Sequence, residues 1–127
     1  MAKLKATPKN FAEACSVLNG KYSVRLGNNT YLRCTGPDPV HDYIAVTFHA
    51  TDIIKFWADG QVTLHTGGYK TVTTKERINQ FTRCIPGQVG ARVYQKNRQW
   101  YVTMVASDGA HWDVIFEEGM NVSEVTQ

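Results

Sequence analysis

Apolar positions in this chain follow two periods. Near the start, Phe11, Ala14, Cys15 and Leu18 recur at i, i+3, i+4 and i+7, which is one face of a helix. Thr7 followed by Pro8 predicts the opening, because a Thr hydroxyl can accept a hydrogen bond from an N-terminal amide and Pro fits the first helical position. Gly20 predicts the stop, so the helix is placed over 7–19 with its stripe, Cys15 included, laid on a sheet. From Lys21 the period becomes two. Tyr22, Val24 and Leu26 alternate with polar residues, Gly27-Asn28-Asn29 tolerates positive φ, and residues 30–34 return as the second arm of a hairpin. Pro37 and Pro39 make 36–39 a loop. Residues 43–49 alternate again, with Ile44, Val46 and Phe48 on one face and Ala45, Thr47 and His49 on the other. Residues 53–57, the turn Ala58-Asp59-Gly60 and residues 61–65 form the clearest hairpin, and Gly67-Gly68 breaks the pattern after it.

Thr73-Thr74-Lys75-Glu76 has capping-box spacing, in which Thr73 caps the amide three residues on and Glu76 reaches back. A short helix within 73–82 follows, with Ile78 and Phe81 facing inward. Pro86-Gly87 and Gly90 mark a loop. Residues 92–95, 99–105 and 111–116 read as strands, turned by Lys96-Asn97-Arg98 and Ser107-Asp108-Gly109, and 120–127 reads as a tail. The predicted architecture is α+β: a mostly antiparallel twisted sheet of about seven or eight short strands, an N-terminal helix and one short central helix. No repeat or linker divides the chain, so 1–127 is expected to be a single domain.

A length of 127 residues suits one core, and 43% apolar with 20% charged residues excludes a disordered tail protein and a coiled coil. Lys and Arg outnumber Asp and Glu by 14 to 11, a net +3 that permits an anionic partner without demanding one. The excess is local: Lys70, Lys75, Arg77 and Arg83 meet one acid, Glu76, and Arg92, Lys96 and Arg98 follow. The C-terminal stretch with Asp113, Glu117, Glu118 and Glu124 is acidic. Cys15, Cys34 and Cys84 form no CxxC and leave one unpaired in any disulfide scheme, which points to a reducing compartment. MAKLKATPKN has no apolar run after its lysines, and no window approaches the roughly 18–20 apolar residues of a membrane span. The expectation is a soluble, intracellular protein with no membrane partner.

No residue type falls into a reaction centre. His41, His49, His65 and His111 match no ligand-pair spacing and the cysteines complete no zinc set, so no metal and no cofactor is assigned. His49 and His65 either share a pocket wall or are two ordinary strand histidines. No base stands beside any cysteine. Asp52 with Asp59, or Glu117 with Glu118, are the carboxylate pairs, but Asp59 serves its turn and the adjacent glutamates are placed in water. No catalytic residue is assigned and an enzyme is not supported. Gly67-Gly68 ahead of Thr73, Thr74 and Lys75 has two readings: an anion held by amides, hydroxyls and one lysine, or a positive-φ turn before a capped helix. Tyr69-Lys70, Arg77, Arg83, Arg92, Tyr94, Lys96, Arg98 and Trp100 interleave cations with rings, as single-strand binders do and as ordinary strand packing also does.

The string HATDIIKFWADGQVTLHTGGYKTVTTKERINQF at 49–81 resembles a small domain family of bacteriophages and mobile elements. Its members run as a strand ending H-G-T-D/N, a D-G hairpin, then T-L-N-S-G-G-W-x-T-x-T-T-K-x-R-I-N. Val93-Tyr94-Gln95, Gln99-Trp100-Tyr101 and the closing Phe116-Glu117-Glu118-Gly119-Met120 resemble the rest, so the likeness covers residues 19–122. Ala50 stands where Gly is usual, His65 where Asn is usual and Tyr69 where Trp is usual, and the 36–39 loop is extra. The resemblance implies a viral context and a shared binding set at His49, Thr51, Gly67, Gly68, Tyr69, Thr73, Thr74, Lys75, Arg77 and Asn79, to which Lys70 is added as a neighbour. The expected function is that of a phage-encoded accessory binding protein in the cytoplasm of the bacterial host. It would engage, and inhibit or redirect, a host protein or protein complex, with Tyr69 as anchor and Lys75 and Arg77 as charged neighbours. One alternative is a nucleic-acid or nucleotide-binding module using the basic 67–98 face, and another is a virion or assembly component.

Overall fold

A computed structural model describes residues 4–34, 43–82, 90–106 and 108–122. The expected loops at 36–39 and 86–87, His41, Arg83, Cys84, Ser107 and most of the tail lie outside them. The elements are α1 (Phe11–Leu18), β1 (Ser23–Gly27), β2 (Thr30–Cys34), β3 (Tyr43–Phe48), β4 (Thr51–Trp57), β5 (Val62–Leu64), α2 (Val72–Thr82), β6 (Gly90–Lys96), β7 (Gln99–Val105), β8 (His111–Ile115) and β9 (Met120–Asn121). The class is α+β and every strand pair is antiparallel. The strands divide between two sheets, one ordered β1-β2-β3-β4-β5-β9 and one ordered β6-β7-β8.

Both helices begin on a different cap from the one predicted. Asn10 caps α1, its side-chain oxygen accepting the Glu13 N–H at 2.8 Å, and Asn19, at φ 49, ends it with an N–H to Cys15 O at 3.0 Å. Thr7 and Pro8 therefore precede the helix. The buried stripe runs through Ala14 and Leu18 with Phe11 and Val17 at its margins, which turns Cys15 out to solvent. In α2 the Thr71 hydroxyl accepts the Thr74 N–H at 3.2 Å, so the helix opens at Val72 and Thr73 lies inside its first turn. The Thr73–Glu76 capping box does not form, and Glu76 is exposed.

Strand β4 starts at Thr51, earlier than its apolar run suggests, and leaves His49-Ala50 as a tight turn with His49 at φ 57. The β3–β4 register slips between Val46 and Thr47, so Ile53 is an extra residue and Ile53 and Ile54 are both buried. Such a bulge re-aims a side chain locally. At the β4–β5 turn, Asp59 Oδ1 accepts the Gln61 N–H at 3.0 Å.

One apolar cluster joins everything: Ala14 and Leu18 of α1, Leu32, Val46, Ile54 and Phe56 of the larger sheet, Ile78 and Phe81 of α2, and Val93, Trp100 and Val102 of the smaller sheet. Asn79 ties α2 to β6, its Nδ2 donating to Val93 O at 2.8 Å and its Oδ1 accepting the Val93 N–H at 2.7 Å. After β8 the chain returns to the larger sheet: Gly119 N–H donates to Leu64 O at 2.7 Å and Val122 N–H to Val62 O at 2.8 Å. The stretch read as a tail therefore opens with a strand, β9, too short to show a period.

Candidate functional site

Between β5 and α2 the chain turns tightly, and Glu118 holds the turn. Thr66 is fully buried; its N–H donates to Glu118 Oε2 at 2.7 Å and its hydroxyl donates to Oε1 of the same carboxylate. Gly68 N–H then donates to Thr66 Oγ1 at 3.2 Å and Tyr69 N–H to Thr66 O at 3.0 Å. These amides are spent within the loop rather than turned toward a ligand. Gly67, at φ +61, passes so close to β4 that a Cβ would lie 3.1 Å from Thr51 Cγ2. Only glycine meets both conditions without strain.

The 48–53 stretch and this turn enclose a depression of about 380 Å³. Phe48 and Ile53 supply its apolar walls, and His49, Thr51, Tyr69, Thr71, Thr73 and Thr74 supply polar groups. His49 is an exposed residue with its ring 4.4 Å from that of Phe48, and Tyr69 is 67% exposed. The Thr71 hydroxyl donates to Thr74 Oγ1 at 3.0 Å and lies 3.2 Å from Thr73 Oγ1.

The predicted site residues thus part company. His49, Thr51, Tyr69, Thr73 and Thr74 converge on the depression, with Gly67 against Thr51 behind it. Gly67 and Gly68 both line a second, more open depression with Thr51, Asp52, Lys55, His65 and Glu118. Lys70 Nζ lies 5.7 Å from the Phe116 ring centre and Lys75 Nζ 5.9 Å from that of Trp100, and neither lines the first depression. Arg77 is 2% exposed: its guanidinium donates to Gln80 Oε1 at 2.8 Å and Asn28 O at 3.4 Å, lies 5.5 Å over the Phe48 ring, and leaves Nε without a partner. Burial pulls the Arg77 pKa below its ordinary value. The Asn79 amide is occupied by Val93. Phe48, Ile53, Thr66, Thr71 and Glu118 carry the site without having been singled out as site residues. The signal for Thr71 was its place three residues before Thr74, and for Glu118 the Phe116-to-Met120 ending of the family resemblance.

His49 and His65 line different depressions. Thr63 Oγ1 accepts the Trp57 indole N–H at 2.9 Å and stands 2.8 Å from His65 Nε2, with which it shares a further hydrogen bond. Burial and the nearby Lys55 lower the His65 pKa, against the opposing pull of Glu118 and Asp52. Among the described residues no cluster of three or more His, Cys, Asp or Glu could hold a metal ion, and no helix is long and apolar enough to cross a membrane.

A family model described as Kyanoviridae Gp96 protein matches residues 7–123. The chain belongs to this bacteriophage family. Its extent takes in both helices and both sheets, so the Thr66–Glu118 clasp and the depression beside it lie wholly within the Gp96 match. No curated protein and no solved structure matches the chain.

Proposed function

We propose that this Gp96 family member is an accessory binding protein that acts in the infected cell, seating an apolar side chain of a host protein in the depression between the β3–β4 turn and the start of α2. The observation that supports this reading is the convergence of His49, Thr51, Tyr69, Thr73 and Thr74 around an apolar floor, with no Lys or Arg of the 67–79 segment among the lining residues. A phosphate has little to hold it there, because the Gly68, Tyr69 and Thr74 amides are already bonded within the chain and neither Lys75 nor Arg77 lines the depression. A neutral, partly apolar group suits walls of Phe48 and Ile53 rimmed by hydroxyls. Tyr69 supplies the kind of exposed, amphipathic ring that dominates interface energetics. Occupying a functional surface of the host protein then inhibits or redirects it.

The test is quantitative capture of host proteins during infection by the native chain and by Tyr69→Ala, both shown to be folded by near-ultraviolet circular dichroism. A defined host protein should be retained by the native chain and fall by about thirtyfold with Tyr69→Ala, as loss of an anchor implies. Equal capture by both proteins rejects the site, and recovery of the chain chiefly in purified particles rejects the accessory role in favour of assembly.

A further inference from the structure

The outer face of the three-stranded sheet carries chemistry that the depression does not use. The register puts Tyr94, Tyr101 and Ile115 in one row across β6, β7 and β8, with Arg92, Thr103 and Asp113 in the next row and Lys96 opposite Gln99 beyond. The alternate positions Val93 and Val102 are buried in the core, so side chains of the first set stand on the opposite, outer side. The Tyr94 and Tyr101 rings stack at 5.5 Å and 21°, and Ile115 is 56% exposed. These rings, Lys96, Asp113 and Ile115 line a depression of about 370 Å³. Arg92 and Lys96 are exposed, and the turn beyond them places exposed Arg98 at φ 67, where glycine would sit without strain. Asp113, the acid of this face, is bonded to the Thr103 hydroxyl at 2.7 Å.

We infer that this face is a platform for single-stranded nucleic acid, bases stacking beside the Tyr94–Tyr101 pair and phosphates meeting Arg92, Lys96 and Arg98. The pairing of rings with cations selects the occupant. A polyanion without bases has no use for stacked tyrosines, an apolar partner has none for three cations, and a duplex keeps its base faces buried. The two-residue turn between Lys96 and Gln99 holds Asn97 and Arg98 at φ 53 and 67, the geometry a tight hairpin requires, and it leaves the exposed Arg98 at the same end of the sheet as Lys96. The cations of α2 do not join this surface, because Arg77 is buried and Lys75 lies over Trp100, whose ring is on the core side.

Fluorescence anisotropy of the full chain with labelled oligodeoxyuridylate and oligouridylate, which differ only in the 2′-hydroxyl, tests the assignment. Binding of either strand at low salt is expected, and the two arms tell whether the sugar matters. Tyr94→Ala and Tyr101→Ala should each weaken it about tenfold, Tyr94→Phe should restore it, and Tyr22→Ala, an exposed tyrosine just ahead of β1 in the other sheet, should leave it unchanged. Lys96→Gln and Arg98→Gly should each lower the salt slope by about one, and Arg98→Gly should do so while raising the melting temperature. Absence of binding to both strands at low salt overturns the proposal. So does binding indifferent to the Tyr94→Ala and Tyr101→Ala changes, or a duplex that competes as well as a single strand.

Discussion

Gly67 concentrates at one backbone position what the pocket wall requires. Its φ of +61 and the 3.1 Å approach to Thr51 mean that Gly67→Ala adds a left-handed penalty and a contact that Thr51 must yield to. Urea denaturation should show a loss of about 1–2 kcal/mol, and Gly68→Ala, with open space around it, should suffer only the backbone part of that loss. His65 makes a second prediction at this scale. Its folded pKa lies below the 6.5 of an unfolded histidine, so the unfolded chain takes up a proton first as pH falls. The stability that depends on neutral His65 is therefore complete above pH 6.5, begins to fall below it, and is lost once pH drops past the folded value. Melting temperatures across that window should fall less steeply for His65→Gln than for the native chain. Equal slopes would place the proton elsewhere.

At the scale of elements, the polar part of the joint between α2 and β6 is one side chain, Asn79, set beside the apolar contact of Ile78 and Phe81 with the smaller sheet. Removing it in Asn79→Ala leaves the Val93 N–H and C=O without their partner beside a residue that is 1% exposed. A cost of about 2–3 kcal/mol is expected, with amide exchange at Val93 accelerating as the direct readout. Asn79→Asp keeps the acceptor but opposes the Val93 carbonyl with a carboxylate, and should be no better. The hairpins were legible because period-two alternation and turn residues such as Asn28-Asn29 and Asp59-Gly60 are local signals. Helix starts were less so: Thr7, Asn10, Thr71 and Thr73 are all competent caps, and tertiary packing chooses among them. The site was legible in its polar half only. Phe48 and Ile53 look like ordinary strand core, and the bulge that brings Ile53 under the depression leaves no mark on the alternation. Arg77 misled because α2 buries positions 74, 77, 78, 81 and 82, a helical stripe that a reading by charge assigns to solvent.

For the whole molecule the open matter is whether two sheets make one folding unit. The apolar cluster crosses from one to the other through Ile78 and Phe81, and the 116–122 stretch binds both: Phe116 N–H donates to Trp100 O at 3.0 Å, and its ring meets Trp100 edge-on at 5.5 Å before the chain pairs with β5. Neither sheet can shed the other without exposing that shared surface, so a single cooperative transition is expected. The tryptophans report it separately, because Trp57 belongs to β4 whereas Trp100 and Trp112 belong to β7 and β8. In Trp57→Phe the fluorescence follows the smaller sheet alone, and in Trp112→Phe with Trp100→Phe it follows the larger. Within each variant the fluorescence midpoint should coincide with that of far-ultraviolet circular dichroism, which sees the whole backbone. Since Trp100 is 3% exposed, its replacement lowers the midpoint, but coincidence of the two probes is unaffected by that shift. A fluorescence transition that precedes the backbone signal in one variant and trails it in the other would mean that the pocket and the tyrosine platform sit on units that open independently, each able to engage its ligand without the other.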